Sequence, residues 1–240
     1  MPAETFYLNV DFVPGTRVCL TDQEHHHLSH VMRLRPGEEA LLVNGRGSSA
    51  RARIADIEKQ LTTLEILSQT KTAPRPIQWI AAIPFLRPAK IEWVIEKGTE
   101  LGADAFLLFR ADHSEKDQFS EHQLERLRQI TVASLKQSGR LFLPSLEVLS
   151  HLDSVFQRKG QFLFGDIRPQ AASIPERFEG PVIFISGPEK GFSEKEFQLL
   201  DQKGKGIRIN PNTLRAETAP IAALSILGHM TQTILNKHLN

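Results

Sequence analysis

Between residues 6 and 67 the chain alternates short apolar runs with turn residues, a pattern that predicts β-strands. The runs Phe6–Val10, Ala40–Val43, Ala50–Ile57 and Leu61–Leu67 are rich in Val, Ile, Leu and Thr. Arg35-Pro36-Gly37 and Asn44-Gly45-Arg46-Gly47 supply turns between them. One helix interrupts the series. Thr21 and Glu24 have the spacing of a capping box, in which hydroxyl and carboxylate each satisfy an exposed backbone N–H. A short helix from His25 to Arg33 would follow, and a small β-barrel with one helix fits the whole pattern.

The polar, aperiodic segment Gln69–Pro76 holds two prolines and reads as a linker. It divides the chain into a first domain, residues 1–70, and a second, residues 76–240. In the second, the periodicity switches repeatedly between strand and helix. Ile77–Ile83, Ala105–Phe109, Gln161–Phe164, Val182–Ile185 and Gly206–Ile209 read as strands. Ala89–Leu101, Glu121–Ser138, Ser193–Lys203 and Glu217–His238 read as helices, with apolar residues at three- and four-residue spacing. Such alternation predicts an α/β fold whose mainly parallel sheet is covered on both faces. Ligands of such sheets sit in the loops beyond the C-terminal ends of the strands.

Composition narrows the function only slightly. Lys and Arg number 29 against 28 Asp and Glu, so net charge argues neither for nor against nucleic acid. The single cysteine, Cys19, cannot form an internal disulfide or a thiolate zinc site, and a reducing, cytoplasmic setting is expected. No apolar stretch approaches the length of a membrane span, and the N-terminus lacks the pattern of a signal peptide. His26 and His30 have helix-face spacing for a metal. A capped surface helix is the expectation there, with no metal.

Two loops stand out. Ser186-Gly187-Pro188-Glu189-Lys190-Gly191-Phe192-Ser193 follows one strand directly, and its glycines let a ligand approach the backbone. Ser193 is a good N-cap for the next helix, with Glu194 and Glu196 in the first turn. The second loop, Asn210 to Pro220, follows the next strand and contains Leu214-Arg215-Ala216-Glu217-Thr218-Ala219. No G-x-G-x-x-G follows the first strand of this part, which argues against a dinucleotide enzyme.

This pair of loops resembles the GPEGGFS and LRxETA motifs of the RsmE-type 16S ribosomal RNA (uracil-N3) methyltransferases of the SPOUT class. Three further segments agree in order: His30 to Gly37, Lys90 with Lys97 to Gly102, and Gln137 to Arg140 with Pro144. Lys190 stands where the family usually has glycine, and Asn210-Pro211-Asn212-Thr213 stands where G-x-R-I is usual. The resemblance implies a C-terminal α/β domain with a trefoil knot, and a small N-terminal PUA-like β-barrel for RNA. It also implies S-adenosyl-L-methionine as cofactor, a homodimer through the C-terminal domain, and methylation of uracil N3 in 16S rRNA of the small ribosomal subunit. The alternatives are a SPOUT enzyme acting on transfer RNA and an inactive RNA-binding assembly factor.

On this reading the cofactor pocket draws on three strand ends. These supply Leu163, Phe164 and Gly165; then Ser186, Gly187, Pro188, Glu189 and Gly191; then Ile209, Asn210, Asn212, Thr213 and Leu214. Arg215 is the expected cation beside the reacting base, with Glu189 or Glu217 as proton acceptor. His30, Arg33, Arg35 and Arg140 are the expected RNA contacts, supported by Arg46, Arg51, Arg53 and Lys136.

Overall fold

A computed structural model of the chain describes residues 4–114 and 118–237, with side chains described as far as Met230. The chain clusters into two compact units. The first comprises the residues up to Pro74 together with Leu135–Leu143, and the second comprises the rest.

The first unit is a five-stranded sheet. Its strands are β1 (Thr5–Tyr7), β2 (Arg17–Leu20), β3 (Glu39–Val43), β4 (Ser48–Ile57) and β5 (Thr62–Lys71), in the order β1-β3-β4-β5-β2. β1 pairs parallel with β3, and the other pairs are antiparallel. Period-two alternation is clear in β4, where Ala50, Ala52 and Ile54 are buried while Arg51 and Arg53 face solvent. The buried side joins Phe6, Leu20, Leu42 and Leu64 in one core. β2 was not visible in the sequence pattern.

The helix of this unit departs from expectation. α1 (Asp22–His26) starts three residues early and continues as a π-helical turn, His27–Val31, in which the Met32 N–H donates to the His27 carbonyl. The expected capping box is absent. Thr21 Oγ1 donates instead to Asp22 Oδ2 at 2.9 Å. Glu24 turns away from the helix end, accepting from the Tyr7 N–H at 3.0 Å and from Lys136 Nζ at 2.6 Å. A charge-assisted bond to a distant lysine outweighs a local cap at an exposed helix start.

The second unit is a six-stranded, all-parallel sheet. Its strands are β6 (Trp79–Pro84), β7 (Ala105–Phe109), β8 (Ser145–Leu149), β9 (Gln161–Gly165), β10 (Val182–Ile185) and β11 (Lys205–Ile207), in the order β11-β9-β10-β6-β7-β8. Alternate residues feed two separate cores. Val182 and Phe184 point to one face and Ile183 and Ile185 to the other, and Phe106/Leu108 and Leu107/Phe109 divide in the same way. Helices α2 (Pro88–Glu100), α3 (Glu121–Ser138) and α6 (Thr218–Lys237) cover the first face. Helices α4 (Leu152–Val155) and α5 (Glu194–Lys203) cover the second. Both faces are therefore buried, as all-parallel sheets require. His238, the expected end of the last helix, lies outside the described residues. No helix among the described residues is long and apolar enough to cross a membrane.

Candidate active site

The C-terminal ends of β9, β10 and β11 open into a cavity of about 650 Å³. Three loops and the start of α2 wall it. Eleven of the thirteen residues expected to hold a cofactor line it: Gly165, Ser186, Gly187, Pro188, Glu189, Gly191, Ile209, Asn210, Asn212, Thr213 and Leu214. Leu163 and Phe164 do not. Strand alternation sends them into opposite cores, where they are 3% and 0% exposed, and only the strand's last residue, Gly165, reaches the cavity.

The β10 loop is held from several sides. The Ser186 N–H donates to the Ala82 carbonyl at 3.0 Å, and the Gly191 N–H closes a turn onto the Pro188 carbonyl at 2.9 Å. Gly191 sits at φ +76°, a conformation that favours glycine. Its carbonyl accepts from His113 Nδ1 at 2.9 Å, so the loop after β7 braces this wall. Ser193 then starts α5 as the expected N-cap, and with Glu196 it completes a capping box. Its Oγ accepts from the Glu196 N–H at 3.2 Å, and Glu196 Oε2 accepts from the Ser193 N–H at 2.9 Å. The other Glu196 oxygen accepts from the Asp112 N–H, and Ser193 Oγ donates to Asp112 Oδ2.

The β9 loop adds a group the sequence did not point to. Asp166 is buried at the cavity wall and is held by Arg168, whose guanidinium also reaches Asp201. The guanidinium lies 4.5 Å from the centroid of the Phe197 ring, which itself lines the cavity and packs edge-on against Phe192. Hydrogen bonds donated to Asp201 and Asp166 raise the Arg168 pKa above its ordinary value.

In the third loop, Asn210 Oδ1 accepts from the Asn212 N–H at 3.0 Å, the side-chain turn expected of an Asn-Pro-Asn segment. The Arg215 carbonyl accepts from the Thr218 and Ala219 N–H groups, so Arg215 ends the loop where α6 begins. Its side chain is exposed at the cavity, as is that of Lys190. Glu217 lines the same wall. Burial works to raise its pKa, but its own backbone N–H, Lys90 and Arg215 outweigh burial and hold the carboxyl below its ordinary value. Lys90, on α2, contacts both Glu189 Oε1, at 3.0 Å, and Glu217 Oε2, at 3.1 Å. Sequence reasoning noted Lys90 only within a motif. Nothing local announces that its ammonium meets two carboxylates from distant loops.

The expected RNA contacts are less uniform. His30 is exposed, its ring stacked on His26 at 4.8 Å, and Ser29 Oγ lies 2.7 Å from its Nδ1. Arg33 and Arg35 are exposed, with no ion-pair partner among the described residues. Arg140 is half-buried in the loop that follows α3. The supporting cations are mostly committed elsewhere. Arg51 and Arg53 share Glu39, Arg46 pairs with Asp11, and Lys136 pairs with Glu24.

Residues 73–228 match the model of an RNA methyltransferase domain, and residues 20–67 match that of an RNA methyltransferase PUA domain. Over 232 residues the chain is 28% identical to Ribosomal RNA small subunit methyltransferase E of Bacillus subtilis, covering 90% of this chain and 91% of that protein. Identity to the protein of the same name from Mycobacterium bovis is also 28%, covering 96% and 93%. The crystal structure of a Ribosomal RNA small subunit methyltransferase E from Neisseria gonorrhoeae, bound to S-adenosyl methionine, shares the fold with a TM-score of 0.86. Its identity is 24%, and the match covers 95% of this chain and 98% of that one. The model of the methyltransferase domain extends from the linker into the last helix and takes in every wall of the cavity, so this chain belongs to the RNA methyltransferase family.

Proposed function

We propose that this chain methylates N3 of a specific uridine in 16S rRNA of the small ribosomal subunit, with S-adenosyl-L-methionine as methyl donor. One observation carries this reading: three successive strand ends converge on a single cavity within the matched methyltransferase domain. The cavity fits the cofactor. Its volume lies in the range of about 300–1,000 Å³ common for small-molecule sites. Gly187 and Gly191 line the cavity without side chains, and Ile209 and Leu214 offer apolar contact. Glu189 and Glu217 offer negative charge to a ligand that carries a sulfonium and an ammonium group. Glu217 is mostly buried on the cavity wall, and its Oε2 shares the single Lys90 ammonium with Glu189, so one cation stands against two carboxylates.

When bound, the cofactor supplies an electrophilic methyl group. The protein's own task is alignment and charge control. As uracil N3 loses its proton, negative charge spreads onto O2 and O4. Arg215, exposed at the cavity, stabilises that charge in the transition state. Glu189 or Glu217 takes the proton. Residues 1–70 bind the RNA through His30, Arg33, Arg35 and Arg140 of the adjoining loop, and residues 76–240 carry the chemistry. The same reading includes a trefoil knot in the C-terminal domain, a homodimer through that domain and a cytoplasmic location. Its support is the ordered set of five motifs and the lack of any helix, among the described residues, suited to a membrane.

The test is transfer of labelled methyl from the cofactor to unmethylated small subunits, with mapping of the modified base. Arg215→Ala is expected to lower turnover by about a hundredfold, with cofactor affinity retained. Full turnover in that variant would remove Arg215 from the mechanism. Methylation of transfer RNA alone would overturn the substrate.

A further inference from the structure

The contact of one lysine with two cavity loops goes beyond the assignment of a cofactor pocket. Lys90 lies in the first turn of α2, just beyond the end of the central strand β6. Its ammonium stands 3.0 Å from Glu189 Oε1, in the β10 loop, and 3.1 Å from Glu217 Oε2, at the start of α6. The side chains are 29%, 22% and 13% exposed, so solvent screens the three charges only in part. Two carboxylates that both lie so close to one point repel each other strongly unless a cation stands between them. A lysine suits this position. Its ammonium is a compact charge with three donors, able to face two carboxylates that approach from different directions. The other charged groups on the cavity wall are Asp166, Lys190 and Arg215.

We propose that Lys90 is a positioning residue that ties the Glu189 loop to the Glu217 loop, and that cofactor affinity depends on this tie. The proposal rests on the reading of the cavity as the cofactor site. Lys90 acts through the two carboxylates, by setting the separation of the loops on which they stand. Loss of the ammonium would leave two uncompensated carboxylates that push the walls apart. Loss of one carboxylate together with the ammonium would remove the repulsion as well, so the two losses should not add.

The test uses the full chain as wild type, Lys90→Met, Lys90→Arg, Glu217→Gln and the double variant Lys90→Met/Glu217→Gln. S-adenosylmethionine is titrated calorimetrically into each, and amide hydrogen exchange is followed over residues 187–191 and 213–217. Lys90→Met is expected to bind about tenfold more weakly, and Lys90→Arg to stay within about threefold of wild type. The double variant should bind no more weakly than Lys90→Met, and exchange in both segments should rise together in Lys90→Met. Unchanged affinity in Lys90→Met, additive losses in the double variant, or unaltered exchange would each overturn the tie. If Lys90→Met does not fold, Lys90→Arg and Glu217→Gln carry the same exchange comparison. Failure of the wild type to bind the cofactor would overturn the assignment of the pocket, and the exchange result alone would then decide the tie.

Discussion

At Gly206 a single added methyl group has no room. A Cβ there would lie 2.5 Å from Asp166 Oδ2 and 2.9 Å from Phe164 Cζ. Neither neighbour can retreat easily, since Arg168 grips the carboxylate and the ring is fully buried. Gly206→Ala is therefore expected to destabilise the protein by about 1–3 kcal/mol, measured as a lowered thermal midpoint. Glu217 provides a second prediction at this scale. Its folded-state pKa lies below the ordinary value, so its contribution to stability is present above the ordinary carboxylate range and lost as pH falls through the folded value. The thermal midpoint should fall on acidification below about pH 4.5, and Glu217→Gln should fall less steeply than wild type. Neither constraint was legible in the sequence. Gly206 reads there as an ordinary strand residue, and the neighbours of Glu217 come from α2 and from its own loop.

At the scale of elements, the N-terminus of α5 was readable because all its parts are local. Ser193 and Glu196 sit three residues apart, and the structure uses both. Ser193→Ala should cost about 1 kcal/mol, and Ser193→Asn should recover part of it in thermal melts. α1 shows the opposite case. Thr21 and Glu24 have the same spacing, but Glu24 is drawn to Lys136 and the Tyr7 N–H, which no local pattern encodes. Strands divide for a related reason. β7 and β10 lie inside the sheet, are buried on both faces and read as continuous apolar runs. β2 and β8 lie at sheet edges, where Arg17, Cys19, Ser145 and Val148 face solvent, so the apolar run that would announce them is missing. The cavity loops were legible through glycines, prolines and caps. Asp166 and Phe197 were not, because a buried aspartate after a strand and a helical phenylalanine look like turn and core.

For the whole molecule, a net charge of +1 hides an uneven distribution. Arg51 and Arg53 face solvent but share Glu39, whereas Arg33 and Arg35 have no such partner among the described residues. The double variant Arg33→Ala/Arg35→Ala should weaken RNA binding and reduce its salt slope by about two, with cofactor affinity unchanged. Arg51→Ala should alter that slope little, which binding at two or more salt concentrations would check. The prolines at 74 and 76 flank the point where the first run of the first unit ends, but residues 69–71, expected as linker, continue β5, and the return of residues 135–143 to the first unit was not visible at all. That segment joins through the Gly47 N–H to the Leu141 carbonyl and through the Lys136–Glu24 ion pair, contacts between residues too far apart in the chain for any local pattern to reveal. The strand order also has a meaning for synthesis. The central strand β6 finds one partner in β7 soon after it is made, but its other neighbour, β10, lies roughly a hundred residues downstream. The edge strand β11 and the Arg215–Glu217 segment come later still. A chain emerging from the ribosome therefore carries half a sheet with an exposed apolar edge until its last third appears. The cavity gains its third wall only with β11 and the Arg215–Glu217 segment, so a nascent chain that stops short of them has no closed pocket to present.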